Sequence, residues 1–122
     1  MILVDTSVWI DHLRSRDARL VTLLEADQVL VHPWVLGELA LGTLADRERF
    51  LTLLSRLPSL RPEPDDRIFA FIDDKRLFGR GIGWVDTGLL AACASRPCRL
   101  LTHDRRLASV ARALDLEAFS AD

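Results

Sequence analysis

Four acidic residues stand beside apolar stretches of the chain, where a charge is expensive to bury. Asp5 and Asp104 each follow a short apolar run, Asp86 precedes a long one, and Glu38 interrupts another. Apolar surroundings disfavour an isolated carboxylate, so these positions predict four desolvated acids. Each acid also has an ordinary structural explanation. Asp5 and Asp104 could cap helices, Asp86 could interact with a helix dipole, and Glu38 could reach water.

Convergence of the four acids would imply a particular chemistry. Two carboxylates about 4 Å apart repel by ~1 kcal/mol in water and by ~4 kcal/mol at an effective dielectric near 20. Without help, at least one of them would take up a proton. A divalent cation relieves the repulsion, and a ligand set of carboxylates suits Mg²⁺ or Mn²⁺. A water molecule held by such an ion can attack phosphorus, so the implied reaction is phosphodiester hydrolysis.

Short apolar segments alternate with helical patterns along the chain. We predict strands at 2–5, 29–32 and 99–102, and a weaker one at 116–119. Helical patterns lie between them, with Pro33 in the first turn of one helix and Asp46 as the cap of another. The proline-rich segment 58–67 reads as a connection that could contain one short strand.

This alternation predicts an α/β fold with a central parallel sheet. Ligands of such folds gather at the carboxyl ends of the strands, which is where Asp5 and Asp104 fall.

Composition is consistent with one domain spanning residues 1–122. Of the 122 residues, 49% are apolar and 28% charged, which allows both a core and a polar surface. The chain has no apolar run long enough to span a membrane and no basic leader, so we expect a cytoplasmic protein. Cys93 and Cys98 match no zinc or disulfide pattern and are expected to be reduced thiols.

The net charge of −2 shows no basic excess of the kind typical of nucleic-acid binding. Bound cations can reverse the local sign at an acidic site, so the charge does not exclude such binding either. Lys75 is the only lysine, and the other basic residues are arginines, whose planar fork suits phosphate. A coding bias toward arginine would explain the same composition.

Four ordered segments together resemble a known family. They are VDTSVWID at 4–11, VLGELALG at 35–42, GIGWVDTGLLAA at 81–92 and LLTHDRRL at 100–107. In this order and at these separations they resemble a PIN domain, and specifically the VapC-type ribonuclease toxins of bacterial toxin–antitoxin pairs. The resemblance covers essentially the whole chain. It implies a single three-layer PIN-like domain with helices on both sides of the sheet.

The resemblance also implies residue roles. Asp5, Glu38, Asp86 and Asp104 would form a catalytic pocket for Mg²⁺ or Mn²⁺, with Asp5 and Asp86 as the most direct ligands. Hydroxyl groups that orient the acids would come from Thr6, Ser7 and Thr102. Substrate RNA would contact basic residues at the pocket mouth, with candidates Lys75, Arg76, Arg80, Arg105 and Arg106. The expected partners are RNA, a cognate antitoxin and a second copy of the chain.

Histidine and tryptophan residues have simpler interpretations. His103 stands where the family more often has arginine, and we expect its ring to be satisfied by backbone groups rather than to act in catalysis. The same backbone role is expected for His12 and His32. Of Trp9, Trp34 and Trp84, at least two should pack in the core, although tryptophan is also enriched where partners dock.

Two other functions fit parts of the pattern. A receiver-type signalling domain shares the size, the layers and an acidic Mg²⁺ pocket, but it needs a lysine at the end of a late strand. Lys75 lies in a helical pattern, which argues against that function. A PIN-like scaffold that binds RNA or a partner protein without cleaving anything is the other alternative, and the complete set of acids argues against it.

Overall fold

A three-stranded parallel sheet lies at the centre of the protein. The structure is a computed structural model that describes residues 1–119. Its strands are β1 (Ile2–Val4), β2 (Val29–Leu30) and β3 (Arg99–Leu101), in the order β2–β1–β3. Ile2 is in register with Val29 on one side and with Arg99 on the other. The parallel sheet, with helices between its strands, confirms the α/β prediction.

Single bridges widen the sheet at both edges. Val31 pairs in parallel with Ser59 beside β2, and Leu100 pairs in parallel with Glu117 beside β3. The Leu100 amide donates to the Leu116 carbonyl at 2.7 Å, and the Ala118 amide donates to the Leu100 carbonyl at 2.9 Å. The weak strand predicted at 116–119 and the short one allowed within 58–67 therefore occur as one bridge each.

Seven helices surround the sheet in the part of the chain that the structure describes. They are α1 (Thr6–Arg14), α2 (Ala18–Glu25), α3 (Pro33–Leu41), α4 (Arg47–Ser55), α5 (Asp65–Lys75), α6 (Trp84–Ser95) and α7 (Arg105–Ala113). None of them is long and apolar enough to cross a membrane. Helices α1, α3 and α7 begin within a few residues of the ends of β1, β2 and β3, so their first turns face the carboxyl edge of the sheet.

Local chemistry sets where several helices begin. Pro33 is in the first turn of α3, as predicted, and the His32 ring accepts a hydrogen bond from the Trp34 amide at 3.0 Å. Asp17 caps α2 by accepting from the amides of Arg19 and Leu20. Asp46 precedes α4 but has a left-handed backbone, with φ of 52°, and its side chain makes no capping bond. The prediction that Asp46 caps this helix is therefore wrong.

The core packs tightly where α3 meets α6. Helix α6 is buried without interruption from Thr87 to Cys93, so it has no polar face along this stretch. The Trp34 ring covers Gly88 so closely that an added Cβ atom would lie 2.2 Å from the ring carbon Cζ3. Trp9 is fully buried and Trp34 half-buried, whereas Trp84 is 40% exposed. Cys93 and Cys98 are buried free thiols, as predicted.

Candidate active site

Asp5 is buried and held by two hydroxyl groups. It stands directly after β1, where its amide donates to the Leu101 carbonyl of β3 at 2.9 Å. One carboxylate oxygen, Oδ2, accepts from Ser7 Oγ at 2.9 Å and from Thr102 Oγ1 at 2.7 Å. Asp5 occupies the N-cap position of α1, but its side chain makes no capping bond. The capping explanation therefore fails for Asp5, and its carboxylate is instead fixed at the sheet edge.

The same two hydroxyls are fixed by the backbone of the loop after β3. Thr102 Oγ1 accepts from the Asp104 amide at 3.1 Å, and Ser7 Oγ accepts from the His103 amide at 3.0 Å. A hydroxyl group has one hydrogen to donate and lone pairs that can accept. Because each of these oxygens accepts from a backbone amide, its own hydrogen is directed to Asp5. The loop thus orients both hydroxyls toward the same carboxylate oxygen.

Glu38 lies on the rim of the site. Its Oε1 atom accepts from Thr6 Oγ1 at 2.7 Å, which links α3 to the first residue of α1. The residue is exposed, because the buried side of α3 is formed by Val35 and Leu39. The expectation of a desolvated Glu38 is therefore wrong, and the alternative that it reaches water is correct.

Asp104 is also exposed and has a structural task. Its Oδ1 atom caps α7 by accepting from the amides of Arg106 at 2.9 Å and Leu107 at 3.1 Å. The capping explanation is thus correct for this residue, and the expected desolvation is wrong. Capping occupies one oxygen. Within residues 1–119, Oδ2 makes no hydrogen bond and remains available.

Asp86, in the first turn of α6, feels the charge of all three other acids. Burial is the largest cause that raises the pKa of its carboxyl group, and the charge of Asp5 is the next. A hydrogen bond with the Gly83 backbone lowers the pKa, whereas Asp104 and Glu38 raise it further. Asp5, Glu38, Asp86 and Asp104 therefore share one electrostatic neighbourhood, which we name the acidic pocket.

The acidic pocket has the donor chemistry of a hard divalent cation. All four side chains offer carboxylate oxygens, and burial together with the neighbouring acids raises the pKa of Asp86, a cost that a bound cation would offset. Among the described residues, no three acidic, imidazole or thiol groups stand close enough to hold one ion together. Mutual repulsion favours such spacing, and Glu38 and Asp104 are both exposed to water.

His103 is bound by carboxylates rather than by the backbone. Its Nδ1 atom contacts Asp11 Oδ2, and its Nε2 atom lies 3.6 Å from Asp17 Oδ2. The expected satisfaction of this ring by backbone groups is therefore wrong. His12 and His32 do accept hydrogen bonds from backbone amides, as predicted. Nothing in the local sequence indicated the contacts of His103, because its partners lie more than 80 positions earlier in the chain.

The predicted RNA-contacting residues lie on two segments of the chain, one at the end of α5 and the other in the first turn of α7. Lys75, Arg76 and Arg80 are exposed at the end of α5 and in the connection to α6, and Lys75 pairs with its neighbour Asp74 at 3.4 Å. Arg106 covers Gly81, since a Cβ atom there would lie 3.0 Å from its Nη1 atom.

Arg105 borders a cavity of about 770 Å³ that Thr102 and His103 also line. None of the four acids lines this cavity.

Comparison with known proteins gives three findings. The family model described as the PIN domain matches residues 2–113. The chain is 48% identical over 108 residues to ribonuclease VapC32 of Mycobacterium tuberculosis, which covers 88% of this chain and 87% of that protein. The crystal structure of PAE2754 from Pyrobaculum aerophilum superposes with a TM-score of 0.60 at 21% identity, over 89% of this chain and 83% of the other. This last likeness concerns the fold alone.

Proposed function

The chain belongs to the PIN-domain family as a VapC-type ribonuclease toxin, and on that premise we propose that its acidic pocket is the centre that hydrolyses RNA. The observation that carries this proposal is the raised pKa of Asp86, which is raised most by burial and then by the charges of Asp5, Asp104 and Glu38. Acids that lie this close lower the stability of a fold that binds no ligand. Carboxyl groups with strongly perturbed pKa values are therefore found mainly at functional sites.

PIN ribonucleases use a divalent metal ion, and we propose Mg²⁺ or Mn²⁺ for this chain. Asp5 and Asp86 are the proposed direct ligands, and Glu38 and Asp104 complete the set directly or through water. When bound, the ion would lower the pKa of a water molecule and neutralise charge on the phosphate oxygens. Carboxylate oxygen donors match the preference of these hard cations.

The surrounding residues have distinct proposed tasks. Ser7 and Thr102 keep the Asp5 carboxylate oriented, because both donate hydrogen bonds to it. Thr6 holds Glu38 near the pocket in the same way. The proposed contacts for RNA phosphates are Arg76, Arg80, Arg105 and Arg106, with Lys75 beside them.

The proposed partners are RNA, a cognate antitoxin protein and a second copy of this chain. An antitoxin that covers the acidic pocket would inhibit cleavage by excluding the substrate. We also propose that residues 1–122 act as one nuclease domain and that the protein works in the cytoplasm, where its RNA substrate is found.

A cleavage assay tests the proposed function. Purified protein is incubated with mixed single-stranded RNA and Mg²⁺ or Mn²⁺, with and without EDTA. Asp5→Asn and Asp86→Asn are each expected to abolish cleavage, because each removes a proposed ligand charge while keeping the size of the side chain. Asp27→Asn is the matched control, since this exposed aspartate has φ of 53°, which asparagine tolerates. Equal cleavage by all variants, or cleavage in EDTA, would contradict the proposal.

A further inference from the structure

An exposed aromatic pair joins α5, which carries Phe69, to the start of α6, where Trp84 lies two residues before Asp86. The rings of Phe69 and Trp84 have centroids 5.1 Å apart and are tilted by 48°. Phe69 is 60% exposed and Trp84 is 40% exposed. The buried side of α5 is provided by Ile68 instead, so the pair is not required to fill the core. Two large rings held together in water are the kind of apolar surface that usually serves a partner.

Arginines without carboxylate partners lie on the segment that joins α5 to α6 and on α7, which begins directly after Asp104. Arg76 and Arg80 are exposed in the segment that leads into α6, and Arg106 lies over Gly81 of the same segment. In residues 1–119, none of these three guanidinium groups forms a salt bridge. Free guanidinium groups of this kind suit phosphate, which arginine can bind through two parallel hydrogen bonds.

We propose that Phe69 and Trp84 form a stacking platform for one base of single-stranded RNA, with Arg80 and Arg106 binding the phosphates that lead to the acidic pocket. This inference rests on the proposed function, because the strand must enter the site where it is cut. Aromatic rings beside basic side chains are the combination by which proteins hold unpaired nucleic acids without strong sequence preference.

Helix geometry decides which nucleotide the platform holds. Trp84 and Asp86 share the first turn of α6, but residues two apart on a helix project in nearly opposite directions. A base stacked on Trp84 therefore cannot belong to the phosphate at Asp86, and it must belong to a neighbouring nucleotide. The platform thus extends recognition beyond the bond that is cut.

Charge favours RNA over a second copy of this chain as the occupant. A two-fold interface built on this surface buries the same patch of both copies, so the unpaired charges of Arg76 and Arg80 would be brought close to the same arginines of the other copy. Like charges at close range repel. An RNA strand instead brings phosphates to these arginines and bases to the rings, so both features of the surface are matched at once.

Binding of RNA tests the platform independently of cleavage. A fluorescein-labelled unpaired RNA of eight nucleotides and mixed sequence is titrated with the EDTA-treated protein, and fluorescence anisotropy gives the Kd. Trp84→Ala is expected to weaken binding about tenfold, which is within the range for loss of one stacked base. Trp84→Phe should recover most of the affinity. Leu53→Ala is the matched control, because Leu53 is 49% exposed on α4 and has no proposed role.

Abasic nucleotides locate the stacked base. With wild-type protein, an abasic site should weaken RNA binding strongly at one position of the RNA. With Trp84→Ala, an abasic site at the same position should cause little further loss of affinity. A structural defect in the variant would instead weaken binding of every RNA by the same factor, which would contradict a stacking role.

Two results would overturn the inference. One is equal RNA affinity of Trp84→Ala and wild-type protein. The other is a change in the oligomeric state of Trp84→Ala, measured by sedimentation, while its RNA affinity stays unchanged. That result would show that the aromatic pair is an interface between copies of the chain. Failure of the proposed function looks different, because a wild-type protein that binds RNA through Trp84 but does not cleave it with Mg²⁺ or Mn²⁺ would retain the platform and lose the catalytic assignment.

Discussion

Gly88 sets the distance between the helices that carry Glu38 and Asp86, and Gly88→Ala is therefore expected to damage both stability and cleavage. A Cβ atom at this position would meet Trp34 Cζ3 at 2.2 Å and two further ring carbons at 3.0 Å. Favourable carbon contacts begin near 3.5 Å, so the ring or α6 must move by more than about 1 Å. Overpacking of this severity lowers the free energy of unfolding by roughly 3 kcal/mol, and the better helix propensity of alanine offsets about 1 kcal/mol of that loss. We expect a net loss of about 2 kcal/mol.

Gly37→Ala provides a matched control in another helix interior. A Cβ atom at Gly37 would meet nothing within 4 Å, so this variant should gain up to about 1 kcal/mol from helix propensity alone. Urea denaturation followed by circular dichroism compares the two variants with the wild type. Replacing Trp34 with leucine in the Gly88→Ala protein should recover stability, because the clashing ring is removed. A Gly88→Ala protein as stable as Gly37→Ala, and equally active on RNA, would refute the reasoning.

Three further outcomes follow from the site and its surroundings. In EDTA at pH 7, Asp86→Asn should raise the free energy of unfolding, because it removes a charge that burial and three neighbouring acids make costly. The raised pKa makes the ionised Asp86 costly to the fold, so thermal melts of the two proteins should converge as pH falls toward the ordinary value of 3.8. Ser7→Ala and Thr102→Val should each raise the Mg²⁺ concentration for half-maximal cleavage about 10- to 100-fold. Thr22→Val should not, because this exposed hydroxyl donates only to the Ala18 carbonyl within α2. Burial lowers the pKa of His32 from 6.5 to about 4. The stability that the neutral ring contributes is therefore fully present above pH 6.5, and the free energy of unfolding should fall by up to roughly 3 kcal/mol as the pH drops from 6.5 to about 4. Urea midpoints at pH 7 and pH 5 measure that loss, and His32→Asn, which keeps a capping side chain, should show a flatter dependence.

The sequence predicted the elements of the fold better than their ends. The strands were expected at 2–5, 29–32 and 99–102, but each is one or two residues shorter. Asp5 and His32 leave the sheet because they occupy the N-cap positions of α1 and α3. Apolar runs mark what is buried, and they do not indicate where the backbone turns from a strand into a helix. This turn forms the functional edge of the sheet.

Burial of the individual acids could be predicted only in part. Asp5 is buried as expected, since β1 delivers it directly to the sheet edge. Glu38 and Asp104 are exposed, although apolar residues flank both in the sequence. Neighbours along a helix point in different directions, so flanking residues do not decide what surrounds a side chain. The partners of His103 depend on long-range packing for the same reason, and no periodicity in the sequence reports them.

The charge of each acid in the acidic pocket is compensated in a different way, which explains how one small fold can tolerate four acids. Asp5 is fixed, and two hydroxyl donors compensate the charge that burial makes costly. Asp86 has no hydroxyl donor of this kind in the described chain, so burial and the charges of its neighbours raise its pKa. Glu38 and Asp104 remain in water, where screening keeps their repulsion small. A cation bound beside Asp86 would therefore offset the charge of the other acids at the half-buried position where no hydroxyl donor among the described residues does so.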